Sequence, residues 1–144
     1  MLTSDISQIY VFCHGLIYTS SKSSLKKIQV ITYNTGFAQF PILPITIVPY
    51  NKFRLVEQLN EMEKILAKPF ILILQEVFRN SYSVYKLWAI KHKYSFTKTK
   101  VNKSGLMIVT SEDIEHEFFI PFNRDTYMLE RGILGIKILF NRNE

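Results

Sequence analysis

A chain of 144 residues has the length of one ordinary domain, and its 47% hydrophobic and 14% aromatic content excludes a disordered class. A formal net charge of +6 favours acidic partners such as nucleic acid, lipid headgroups or phosphorylated small molecules. The one cysteine, Cys13, excludes an internal disulfide and a cysteine-built zinc site.

The first apolar stretch, Ile9 to Tyr18, is interrupted by His14 and Gly15. Asp5 precedes it without any Lys or Arg, the wrong flank for a secretory signal, and no apolar run in the chain reaches the length of a membrane span. It reads as an extra N-terminal element, joined through the Ser-rich residues 20–24. The expected division is an N-terminal extension, 1–26, and a domain, 27–144. Cys13 beside His14 reads as a buried small hydrophobe in preference to a catalytic thiol.

Ile28 to Asn34 is β-rich and short, and Gly36 after it permits a sharp turn. Residues 37–49 carry Pro41, Pro44 and Pro49, which cannot donate to a ladder, so an apolar irregular loop over the core is expected. Asn51 to Lys68 predicts a helix with Asn51 as N-cap. Leu55, Leu59, Met62 and Leu66 form its stripe, widened by Val56 and Ile65. Arg54, Glu57, Glu61 and Lys64 then lie on the solvated side. Phe70 to Leu74 runs apolar without alternation, the pattern of a strand buried on both faces. Ser81 to Lys93 predicts a second helix, Ser81 its N-cap, with Val84, Leu87, Trp88 and Ile90 inward. From Tyr94 the period becomes two, with a turn at Asn102-Lys103 and strands over Leu106 to Val109, Ile114 to Ile120 and Leu134 to Phe140. This order predicts an α/β (α+β) fold: a mixed, mostly antiparallel sheet with two main helices on one face.

Two of these strands end in groups with chemistry. One closes on Asn34, the other on Gln75-Glu76. A carboxylate leaving a buried strand must be solvated, paired or bound to a cation. If the strands are neighbours, Glu76 and Asn34 share one mouth. There Glu76 suits a hard divalent cation, and Asn34 suits a phosphate oxygen or a water.

The residues Thr32-Tyr33-Asn34, Leu74-Gln75-Glu76-Val77-Phe78, Ser104-Gly105-Leu106-Met107 and Arg131-Gly132-Ile133-Leu134-Gly135 occur in that order. In this the chain resembles the endonuclease/exonuclease/phosphatase superfamily, the DNase I-like fold, and is most similar to its neutral sphingomyelinase-like branch. The resemblance spans Lys27 to Phe140 and corresponds to the N-terminal half of that family's four-layer α/β sandwich. It implies Mg2+ at Glu76, phosphate at Asn34, and a weaker peripheral candidate in Arg131, which reads more simply as a solvated strand-end cation. The family's later motifs, Asn-Thr-His, Gly-Asp-Phe-Asn and Ser-Asp-His, do not occur; His14, His92 and His116 are the only histidines.

The expectation is a truncated metal-dependent phosphodiesterase-like domain, weak or inactive alone because the general base and its Asp are missing. Its substrate would be a phosphodiester, lipid or nucleic acid. A second copy or a separate C-terminal half would complete the sandwich. The alternative is a non-catalytic binding or regulatory module that keeps half of the fold.

Overall fold

Phe70 to Leu74 are fully or almost fully buried, and alternation divides them between two cores. Phe70, Leu72 and Leu74 face one hydrophobic cluster, Ile71 and Ile73 another. A strand with helices on one side and a second sheet on the other has no polar face to offer, which explains the unbroken apolar run.

The computed structural model describes residues 7–12, 17–19, 28–36, 52–122 and 130–140. Along them run β1 (Ser7–Phe12), β2 (Ile17–Thr19), β3 (Gln29–Asn34), α1 (Lys52–Ile65), β4 (Phe70–Gln75), α2 (Arg79–Lys91), β5 (Ser95–Phe96), α3 (Val101–Ser104), β6 (Met107–Thr110), β7 (Ile114–Pro121) and β8 (Gly132–Phe140). The fold is mixed α/β, with two main helices and two four-stranded sheets, ordered β3-β4-β6-β5 and β2-β1-β8-β7. Among the described strands only β3 and β4 pair in parallel, as a crossover through α1 requires; the other pairs are antiparallel. Among the described residues no helix is long and apolar enough to cross a membrane.

The helix-side core joins Leu55, Leu59 and Met62 of α1 to Tyr85, Trp88 and Ala89 of α2 over β4 and β6. The sheet-side core is aliphatic: Ile71, Ile73 and Ile108 meet Leu134, Ile136 and Ile138 of β8. Each such side chain fully withdrawn from water contributes about 1.5–3 kcal/mol before entropy is counted.

Several details differ from the sequence-based expectations. The segment read as an N-terminal extension contributes β1, which pairs with β8 along its whole length, from Ser7 opposite Phe140 to Phe12 opposite Gly135. The boundary drawn at residue 26 therefore divides a sheet. The strands do not form one sheet: β6 belongs to one sheet and β7 to the other, with residues 111–113 between them. Asn102-Lys103 lies within α3, one helical turn, not in a simple bend.

Helix α2 begins earlier than expected, with Phe78 at the N-cap, three residues before Ser81. Ser81 sits in the first turn, where its Oγ accepts from the Phe78 N–H at 3.0 Å and donates to the Phe78 carbonyl at 2.8 Å. The buried stripe of α2 is Ser81, Tyr85, Trp88 and Ala89, while Leu87 and Ile90 point outward, 65% and 53% exposed. Val56 and Ile65 of α1 are likewise exposed. The Pro-rich stretch 37–49, Asn51, and the Cys13-His14 pair lie outside the described residues.

Candidate functional site

The parallel register sets Asn34 opposite Gln75, so both strands end at the same level. Glu76 is the next residue, and it turns back toward β3. Its Oε1 accepts a hydrogen bond from Asn34 Nδ2 at 3.0 Å. The Oδ1 end of the Asn34 amide accepts from the Gly36 N–H at 2.9 Å, which fixes the end of the amide that faces the carboxylate. The structure thus brings the two sequence-predicted residues into direct contact, across 42 positions of sequence.

The backbone around them is held tightly. Glu76 adopts a left-handed conformation, φ 58°. For a non-glycine residue this costs about 1–2 kcal/mol, and it persists only where neighbours impose it. Those neighbours are identifiable. The hydroxyl of Thr35, a fully buried residue, donates to the Glu76 carbonyl at 3.0 Å. The Thr35 N–H donates to the Gln75 carbonyl at 3.0 Å, and the Val77 N–H to the Gly105 carbonyl at 2.8 Å. Gly105 itself has φ +69° and lies against the Phe78 ring, where a Cβ would collide with it. The Ser-Gly-Leu motif therefore buttresses the turn that carries Glu76.

Arg54 belongs to this neighbourhood, contrary to its reading as a solvated helix charge. Its Nη2 donates to the Thr35 carbonyl at 3.4 Å, and Gln58 Nε2 donates to the same carbonyl at 3.3 Å. The guanidinium occupies the space beside Gly36: a Cβ built there would lie 2.8 Å from Nη2, and Gly36 has φ +68°. Gly36 is thus favoured by its left-handed backbone conformation, while the flexible end of Arg54 could yield to a Cβ. A signal was present in the sequence. The first turn of α1 carries no acidic residue, although the helix dipole favours acids there. An arginine placed against that preference needs a partner.

Behind Gln58 stands Tyr85, whose hydroxyl donates to Gln58 Oε1 at 3.3 Å. Burial raises the Tyr85 phenol well above the ordinary tyrosine range; Tyr33 adds to the shift and Arg54 opposes it. Arg131, the peripheral candidate, is exposed just before β8. Its carbonyl accepts from the Phe122 N–H at 2.8 Å, so its backbone serves the end of β7. His92 lies beyond the far end of α2, its Nε2 2.9 Å from Glu63 Oε1, and His116 lies in β7 of the other sheet.

The donor set can be weighed against a divalent cation. Among the described residues no group of three or more His, Cys, Asp or Glu could hold a metal. Glu76 spends Oε1 on Asn34, and Oε2 takes no hydrogen bond among the described residues. One carboxylate oxygen is a weak ligand set even for Mg2+, which keeps most of its waters and binds through one or two carboxylates plus substrate phosphate. It does not fit a cation that needs an all-protein cage.

No protein-family model matches the chain, and no curated protein or solved structure matches it significantly.

Proposed function

We propose that the chain is the N-terminal half of a DNase I-like, metal-dependent phosphodiesterase-like domain, with Glu76 as Mg2+ ligand and Asn34 as the phosphate-positioning group. The observation that carries this reading is the 3.0 Å contact between Asn34 and Glu76 at the carboxyl ends of two parallel strands. The amide has two N–H groups and gives one to Glu76, which leaves one for a phosphate oxygen. Glu76 Oε2 is the oxygen offered to the cation. When bound, Mg2+ supplies charge neutralisation at the phosphoryl oxygens. Water would attack phosphorus, and the ester oxygen would leave with a proton. The base that takes the proton from water comes from outside the Asn34–Glu76 mouth, from a second copy or a C-terminal half. In this reading α1 and α2, the two sheets, and a further helical layer on the outer face of β2-β1-β8-β7 make the four layers.

A second reading, a non-catalytic binding module, is favoured by one specific observation: among the described residues no three-ligand metal group accompanies Glu76. Both readings are tested by Mg2+ titration calorimetry and hydrolysis of a chromogenic phosphodiester, with Glu76→Gln as control. Turnover that needs both Mg2+ and Glu76 establishes the enzyme. Mg2+ binding that needs Glu76, without turnover, rules out a second copy as the source of the base and leaves a separate C-terminal half or the module. Mg2+ binding unchanged in Glu76→Gln removes the metal assignment from both.

A further inference from the structure

Val77 to Ser111 contains no Asp or Glu, yet its Lys and Arg residues alone outnumber the chain's net charge of +6. Some of these cations are neutralised by acids from elsewhere: Lys100 and Lys103 both pair with Glu130, at 3.0 and 3.1 Å. Lys86, Lys91 and Lys93 take no ion partner among the described residues. They surround the outward side of α2, where Leu87 and Ile90 are exposed. The spacing makes one strip of these residues. Leu87 and Ile90 are three apart and adjoin on the crest of the helix. Lys86 lies four residues before Ile90 and Lys91 four after Leu87, so one lysine flanks each side. The opposite side of α2, Tyr85, Trp88 and Ala89, is committed to the core.

We infer that this side of α2 docks the protein on an anionic lipid surface, with Leu87 and Ile90 entering the headgroup–acyl boundary and Lys86, Lys91 and Lys93 meeting the headgroups. Charge complementarity selects the occupant. An aliphatic crest between lysines matches a surface that is apolar beneath and negative above. A nucleic acid duplex would satisfy the lysines but leave both aliphatic side chains without a use. A two-fold dimer through this face would set the lysines of one copy against those of the other. On the α1 side the strip is bounded by Val56, Asn60 and Glu63, which line the groove beside Leu87 and Lys91, and Glu63 is already engaged by Trp88 Nε1 and His92. The inference goes beyond the proposed phosphodiester site and does not depend on it, because neither Glu76 nor Asn34 takes part.

The test is co-sedimentation of the full chain with vesicles of phosphatidylcholine alone or mixed with phosphatidylserine. Binding is expected only to the mixed vesicles, weakening at high salt. Lys86→Gln with Lys91→Gln should lower partitioning about 25-fold, about fivefold for each lysine. Leu87→Ser with Ile90→Ser should lower it on the order of tenfold. Both double variants should melt like the parent, since every altered side chain is exposed. Glu76→Gln should bind vesicles like the parent, which separates failure here from failure of the phosphodiester reading. Binding to phosphatidylcholine alone, no binding to either vesicle, or equal binding by the double variants would overturn the inference. So would binding to duplex DNA that survives Leu87→Ser with Ile90→Ser, or self-association abolished by that change.

Discussion

The two sides of β4 are built from different chemistry. On the sheet side the core is hydrocarbon throughout, with Ile71, Ile73 and Ile108 against Leu134, Ile136 and Ile138. On the helix side it holds aromatics whose polar tips reach outward: Trp88 Nε1 donates to Glu63 Oε1 at 2.8 Å, and the Tyr85 hydroxyl to Gln58 Oε1 at 3.3 Å. From Gln58 the chain of bonds continues to the Thr35 carbonyl, and from the Thr35 hydroxyl to the Glu76 carbonyl. The sheet side therefore supplies stability alone. The helix side supplies stability and also fixes the backbone beneath Glu76.

The largest expected effect probes the hydrocarbon side. Ile136→Ala should cost about 2–5 kcal/mol in denaturant unfolding, while the Mg2+ binding proposed at Glu76 stays unchanged. A weakened affinity would mean that the sheet-side core also shapes the mouth.

Tyr85→Phe should cost less, about 1 kcal/mol, yet weaken Mg2+ binding severalfold by releasing Gln58. It also carries a pH signature. Burial raises the folded phenol above its ordinary value, so the unfolded chain loses this proton first. The corresponding stability is complete below about pH 10 and declines as the pH rises further. Melting measured across that range should show a steeper alkaline loss in the parent than in Tyr85→Phe. Identical slopes would remove Tyr85 from the account.

The smallest effect has the opposite sign. Glu76→Gly relieves a left-handed backbone and should stabilise the fold by ~0.5–1 kcal/mol, net of glycine's own entropy, while abolishing Mg2+ binding. A loss of stability instead would show that the carboxylate anchors the turn more than the turn strains it.

The sequence made some of this legible and hid the rest for physical reasons. Phe70 to Leu74 announced a strand buried on both sides, since the run has no polar face and the short length of a strand. Asn34 and Glu76 could be read as strand-end groups because polarity appears where each apolar run stops. Partner choice was hidden. A period of two says which residues share a face but not which sheet the strand joins, so β1 on β8, and β6 and β7 in different sheets, were not recoverable. The rotation of α2 was hidden as well. Leu87 and Ile90 outscore Ser81 and Ala89 in hydrophobicity, but Ser81 and Ala89 are the ones buried. Arg54 was missed because it was read only by its place opposite the apolar stripe, although its position in the first turn conflicts with the dipole.

The 42 positions between Asn34 and Glu76 have a kinetic consequence. Neither residue can find the other by local collapse. Their contact requires a parallel pairing, which is slow to form because a long loop must close before any contact rewards it. The helices can form on their own timescale; the mouth cannot. An isotope or fluorescent label at Asn34 should therefore report one of the last events of folding. A partly folded chain would hold both residues of the site without holding the site.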